Sequence, residues 1–271
     1  IRWDAFTQST PKGTNPASQV ARVLSPKKYH YQAPFFANVD ADDTISFPKY
    51  TMEAWEQEAQ YAHEGGIDYY AYIWYDTGSD MALPRQYHLL SKKKNLVKMT
   101  AALESIRDDA TMGELFAAMK DSCYITLSGR PVLFLYGFDD WTKEDVQTVR
   151  QMAANAGIEK SLYIVGMTVK TTKINENINK GIDAISWYGV AAQKTAEPYA
   201  DLAKRCEGYI ETIGPMTQGF DFDLIPSFTT GRDSLARIET GVTWVDGDPN
   251  AKADKDKPYG NKYTIQPTMD E

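Results

Sequence analysis

The chain has 271 residues, 42% hydrophobic and 24% charged, which is the balance of a folded protein with one large domain or two modest ones. Its net charge of −8 argues against a nucleic-acid partner, and no apolar run approaches the roughly 18 residues needed to span a bilayer. The cysteines Cys123 and Cys206 fall in two different predicted helices and read as buried thiols, while His30, His63 and His88 lack metal-ligand spacing, so neither a disulfide nor a zinc site is expected.

The sequence opens on "IRWDAF", which reads as the inside of a fold, with no signal-peptide pattern before it. The expectation is therefore a chain cut from something longer. From Thr51 to Gly65 the spacing of Met52, Trp55, Ala59 and Ala62 predicts an amphipathic helix. The aromatic strand "IDYYAYIWY" follows, from Ile67 to Tyr75. A helix near Arg85–Lys94 and a strand from Val97 to Ser105 come next. Thr111 and Glu114 form a T-x-x-E capping box ahead of Leu115, Phe116 and Met119. "RPVLFLYGF" predicts an apolar strand from Arg130, preceded by a turn at Ser128-Gly129, and Thr142–Gly157 predicts a helix. Then come the strand "LYIVGMT", a short helix around Ile174–Lys180 and the strand "DAISWYG". A long helix from Glu197 to Ile213 leads to a last strand, "LIPSFTT".

One phrase recurs where a helix gives way to a strand: Gly66-Ile67-Asp68, Gly157-Ile158-Glu159 and Gly181-Ile182-Asp183. Glycine accepts the left-handed conformation that closes a helix, and the following isoleucine can cover its last turn. Such repeated joints, in a strand–helix alternation with units of about 30 residues, predict parallel strands with crossover helices. No G-x-G-x-x-G or P-loop marks a first βα turn, so an α/β (β/α)8 TIM-type barrel fits better than an open nucleotide-binding sheet. About seven strands are countable by Thr230, within a single barrel domain over 1–271 that is incomplete at its C-terminus. The charged stretch "DGDPNAKADKDKPYGNKY" reads as a solvated excursion, and Thr268 with Glu271 form a capping box with no helix after it.

Alternation divides the aromatic strand into two faces. Tyr69, Ala71, Ile73 and Tyr75 form one, and Tyr70, Tyr72 and Trp74 the other. A crowded barrel interior takes the face with Ala71 and Ile73, which sends the large rings outward under the helices. Tyr75 is then the last inward residue at the C-terminal end, where barrel enzymes build their sites, and Asp76 opens the loop. The same rule at other strand ends offers Trp3 and Asp4, Glu104 with Arg107, Tyr136 with Asp139 and Asp140, Trp187 and Tyr188, and Arg232 with Asp233. Rings stack on the apolar faces of sugars, and carboxylates and arginines hydrogen-bond vicinal hydroxyls; paired carboxylates are what glycosidic cleavage needs. The structural alternatives are that Asp233 simply pairs with Arg237, and that Asp139-Asp140 merely leads into the Thr142 helix cap.

Several segments, in order, resemble the glycoside hydrolase family 99-like barrels, which include endo-α-mannosidases and bacterial polysaccharide-associated proteins. "GIDYYAYIWYD" is similar to the family's second strand, "AALES" to the third, "AISWYG" to the sixth, and "IPSFTTGRDSLARIETGVTW" to the seventh with its loop. "IRWDAF" and "PFFANV" resemble N-terminal segments of its uncharacterised bacterial members. The resemblance implies that Glu104 contacts substrate, that Tyr188 contributes to the sugar site, and that Gly231, Asp233 and Arg237 mark the seventh-strand loop. It also implies a retaining mechanism, with a neighbouring-group route in the α-mannoside members. The family's E-x-x-E glutamate pair at the end of the eighth strand has no match in this sequence.

The expectation is an endo-acting glycoside hydrolase-like domain that acts on or binds a polysaccharide or glycan. In it Glu104 holds or helps activate the 2-hydroxyl of the reacting sugar. Trp3, Asp4, Tyr75, Asp76, Tyr136, Trp187, Tyr188, Arg232, Asp233 and Arg237 form the binding surface, and no cofactor or metal is expected. The alternatives are a non-catalytic carbohydrate-binding or structural barrel of a larger surface or phage-tail protein, and a part in making surface polysaccharide. An extracellular or cell-surface setting follows from the substrate class alone.

Overall fold

The computed structural model describes residues 16–34, 36–168, 170–189, 198–218 and 222–228, with Ala236 and Thr240. The chain divides into two compact units, one of residues 1–51, 191–204 and 229–271, the other of residues 52–190 and 205–228. Trp3, Asp4, Arg232, Asp233 and Arg237 lie outside the described residues, as do the segments expected to hold the first strand and the terminal capping box.

In the smaller unit, helix α1 (Pro16–Leu24) buries Val23 and Leu24 against Tyr29 and Ile45. A two-residue hairpin pairs β1 (Asn38–Val39) with β2 (Ile45–Ser46), and His30 Nε2 lies between the carbonyls of Ser25 and Asp43, at 2.9 and 3.1 Å.

The larger unit alternates strand and helix as the periodicity predicts. Its elements are α2 (Met52–Glu64), β3 (Tyr69–Ile73), α3 (Leu83–Leu90), β4 (Lys98–Leu103), α4 (Asp109–Ala118), β5 (Thr126–Leu127), β6 (Arg130–Tyr136), α5 (Lys143–Asn155), β7 (Tyr163–Thr168), α6 (Ile174–Ile178), β8 (Ala184–Trp187), α7 (Tyr199–Thr217, of which this unit holds residues 205–217) and β9 (Asp223–Leu224). Six of these strands pair in parallel in the order β3-β4-β6-β7-β8-β9, with no reversal. Right-handed crossovers between strands laid down in one direction put their helices on one face of the sheet. Accordingly Met99, Ala101, Leu103, Leu133, Leu135 and Ile164 pack with Met112, Leu115, Phe116, Val146, Val149 and Ala153 of α4 and α5. The opposite face is a second cluster built from strand residues, with Ala102, Val132, Phe134, Tyr163, Val165 and Ala184 buried in it.

Local sequence explains the joints. Gly66, Gly157 and Gly181 all have positive φ (79°, 79° and 88°). Ile158 and Ile182 cover the helix ends they follow and join the core, but Ile67 is 47% exposed, so the expected cover holds at two joints of three. Ser128 and Gly129, both at positive φ, make the tight turn that pairs β5 antiparallel to β6. Thr142 and Asp145 form a reciprocal capping box at the start of α5.

The box expected at Thr111–Glu114 is corrected: Asp108 is the N-cap, its carboxylate accepting from the Thr111 amide at 2.8 Å. Thr111 is buried one turn inside, and Glu114 is claimed by Arg85 and Thr77 instead. Cys123 is also corrected, lying in the turn after α4 instead of in a helix, while Cys206 is in α7; both are free and buried. No helix among the described residues is long and apolar enough to cross a membrane.

Candidate functional site

The two faces of β3 are as the alternation predicts. Trp74 is fully buried on the helix side, with the Arg85 guanidinium 4.4 Å over its ring. Tyr72 accepts from Trp55 Nε1 of α2 at 3.2 Å and meets His88 Nδ1 of α3 at 3.1 Å. These rings are scaffold. Burial pushes the His88 imidazole below its ordinary range, against the raising effect of the Lys94 and Val97 main chain, which keeps it neutral at pH 7.

Tyr75 stands on the other face, past the last ladder bond. The register pairs Ile73 with Ala102 and Ala102 with Phe134. Continued by two residues, it aligns Tyr75, Glu104 and Tyr136 in one row across the C-terminal ends of β3, β4 and β6. Tyr188, one residue past β8, brings its ring to 4.7 Å from that of Tyr136 at an interplanar angle of 78°. Such edge-to-face pairs contribute ~0.5–1.5 kcal/mol beyond area burial. Tyr188 remains 51% exposed, so this corner is open to solvent on its side.

The electrostatics bind the row together. Burial, then the Glu104 carboxylate and the Tyr188 and Tyr136 phenols, push Tyr75 up to about 12, partly offset by Arg107. Burial first, with Tyr188 and Glu104 beside it, raises Tyr136 as well. Both phenols are hydrogen-bond donors at neutral pH. Arg107 Nη2 donates to Glu104 Oε2 at 3.1 Å, and its Nη1 lies 3.9 Å from Asp76 Oδ1. With both carboxylates well exposed, such pairs contribute about 0–1 kcal/mol to stability; the effect of the first is to orient the Glu104 carboxylate.

The loop carrying Tyr75 and Asp76 is held from behind. Trp74 Nε1 donates to the Thr111 carbonyl at 3.2 Å, and the Thr77 amide donates to Thr111 Oγ1 at 3.2 Å. Thr77 Oγ1 and Arg85 Nη2 both donate to Glu114 Oε2, at 2.7 and 2.6 Å. Because Asp108 caps the same helix, the first turns of α4 fix both this loop and the segment that presents Arg107.

Trp187 is a correction to the expected wall. Adjacent strand residues point to opposite faces, so Trp187 cannot share Tyr188's surface. Its ring is 1% exposed and packs 5.7 Å from Tyr209 of α7. Asp139 is neither a surface acid nor a helix cap: 5% exposed, it accepts from Thr168 Oγ1 at 2.6 Å, Asn177 Nδ2 at 2.9 Å and the Lys170 amide at 3.1 Å. Among the described residues no group of three or more His, Cys, Asp or Glu could hold a metal ion.

The candidate site among the described residues is therefore Tyr75, Glu104, Tyr136 and Tyr188, with Arg107 and Asp76 at its edge. Most of it lies in a segment with a recognisable counterpart. Residues 85–218 match the family model described as Glycosyltransferase WbsX. Just under half of the chain is matched, a span that includes Glu104, Arg107, Tyr136 and Tyr188 but not Tyr75 or Asp76. Among solved structures, a "Glycoside hydrolase-like protein" is similar with a TM-score of 0.53 and 14% identity over 76% of this chain and 68% of that one. At that identity the likeness is one of fold, and it accords with the family resemblance carried by the strand motifs. The GH99 endo-alpha-mannosidase from Bacteroides thetaiotaomicron aligns with a TM-score of 0.48 and 14% identity, over 68% of this chain and 56% of that chain. Its complex with bis-tris propane gives 0.48 and 15%, over 70% and 60%. The chain thus spans less than two thirds of the mannosidase's length. No curated protein matches the chain.

Proposed function

We propose that the chain is a substrate-binding portion of a glycan-acting (β/α) barrel domain of the glycoside hydrolase type, endo-acting and retaining. The observation that carries this is the row Tyr75–Glu104–Tyr136, closed by Tyr188, at the C-terminal ends of parallel strands. Barrel enzymes place their chemistry at that end, and strands laid down in one direction with helices on one face are the arrangement a barrel requires. A sugar ring laid on the Tyr136–Tyr188 corner buries its apolar face against the rings. Its hydroxyls then meet three kinds of complementary group: two protonated phenols that donate, a carboxylate that accepts, and a guanidinium at the rim. Glu104, oriented by Arg107, is the group placed to accept a proton from a ring hydroxyl adjacent to the reacting carbon.

The test is release of reducing ends from α-mannan and a panel of neutral glycans by the native polypeptide, wild type against Glu104→Gln. The expected result is endo-cleavage that falls by roughly a hundredfold or more in the variant. Activity unchanged by Glu104→Gln overturns the role of Glu104. Saturable binding without cleavage turns the reading to a carbohydrate-binding barrel of a larger surface protein.

A second reading is favoured by the description of the matching family model, a glycosyltransferase. A retaining site passes a glycosyl group to a sugar hydroxyl as readily as to water when the acceptor occupies the site, so this site could serve assembly of surface polysaccharide. Lengthened oligosaccharides when acceptor is added to the same assay would establish it, and hydrolysis products alone would exclude it.

A further inference from the structure

Asp139 is a buried carboxylate that the reaction does not use. It follows Tyr136 by three residues, where Gly137, at φ 62°, turns the chain back. Trp141 Nε1 holds the Tyr136 carbonyl at 3.0 Å, and Lys180 Nζ donates to the carbonyls of Phe138 and Asp139, each at 3.3 Å. The segment 136–141 is therefore fixed at both its ends and its middle. Across the next strand, Thr168 ends β7, 1% exposed, and gives its hydroxyl to Asp139 Oδ1 at 2.6 Å. The same residue's carbonyl accepts the Tyr188 amide at 3.3 Å. One continuous line of bonds thus runs from the loop after β6, through the end of β7, to the end of β8.

We propose that Asp139 and Thr168 are positioning residues that set the Tyr136–Tyr188 corner from behind. Neither side chain is on the corner's open face. The two tyrosines lie on strands that are not neighbours, since β7 separates β6 from β8. Ladder bonds alone leave the loops at the strand ends free to splay, and the only covalent route between these two rings is the chain itself. The carboxylate is suited to the task because its two oxygens accept from three donors on two later segments, 29 to 38 residues away. An amide in its place can accept at one atom only. The use of the corner as a sugar platform rests on the function proposed above; its geometry does not.

The test uses protein labelled with 3-fluorotyrosine, with the Tyr136 and Tyr188 resonances assigned through Tyr136→Phe and Tyr188→Phe. Thr168→Val keeps the shape and removes the hydroxyl; Thr168→Ser keeps the hydroxyl. The expected result is that Thr168→Val moves both fluorine resonances and weakens α-mannan binding by roughly threefold to tenfold, while Thr168→Ser stays close to wild type. Asp139→Asn, read in the same way, replaces Thr168→Val if the latter fails to fold. Resonances unmoved in folded Thr168→Val or Asp139→Asn protein overturn the proposal. So do equal shifts in the serine and valine variants, which would show that the hydroxyl is not what sets the corner. If wild type binds no glycan, the sugar reading falls, and the fluorine shifts still decide whether the corner is set by this line of bonds.

Discussion

Tyr75 shows how neighbours fix the protonation of a single phenol. It stands two residues past the end of β3, beside a carboxylate and two other phenols, and each of these neighbours opposes a further negative charge. A tyrosine so placed stays a donor through neutral and mildly alkaline pH. Its effect on stability has a definite sign. With a folded-state value of about 12 against an unfolded value of about 10, the neutral phenol's contribution is complete below pH 10 and is lost as pH rises through 12. Absorbance titration of tyrosinate, wild type minus Tyr75→Phe, should give a step near 12. A step near 10 would show that Tyr75 is not held against Glu104 as described.

The elements are where sequence and structure are most instructively compared. Alternation alone separated the scaffold rings Tyr70, Tyr72 and Trp74 from Tyr75, because parity on a strand is a property of the backbone. The same parity applied to Trp187 and Tyr188 permits one of them at the mouth, and burial against Tyr209 decides which. The Thr111–Glu114 pattern misleads for a tertiary reason: Asp108 competes for the cap, while Glu114 is drawn off by Arg85, 29 residues earlier. Asp139 was visible as an acid near a strand end, but its three donors lie on later segments that no local pattern connects to it.

Gly166 is a further feature of tertiary origin. A Cβ there would stand 2.6 Å from the Phe138 ring and 2.7 Å from Ile182 Cδ1, both in the core under the helices. Overpacking of this kind costs ~1–3 kcal/mol. Gly166→Ala should therefore lower the melting temperature by roughly 2–12 °C. An unchanged melting temperature would contradict the close approach of the Phe138 loop to β7.

At the scale of the larger unit, the two ends of the parallel strands have separate tasks. The N-terminal ends are tied by charge. Asp183 takes Arg130 at 2.6 Å, Arg150 at 2.8 Å and the Ile164 amide at 2.9 Å, and Tyr163 donates to Asp223. Burial alone would raise Asp183, but the Ile164 amide and the two guanidinium groups outweigh it and hold the carboxyl below its usual range. The C-terminal ends are tied instead by two carboxylates, the partly buried Glu114 and the buried Asp139, set behind an open surface of rings. One end is locked, and the other is arranged to present polar and aromatic groups to solvent.

Glycan titration tests most directly whether that open end binds sugar. The wild-type protein and the Tyr136→Ala/Tyr188→Ala double variant are titrated with α-mannan and with a panel of neutral oligosaccharides, their melting temperatures measured alongside. Wild type is expected to bind a glycan saturably, with binding weakened by about tenfold or more in the double variant while the protein stays folded. No glycan bound by wild type, or binding that survives the loss of both rings, would contradict it.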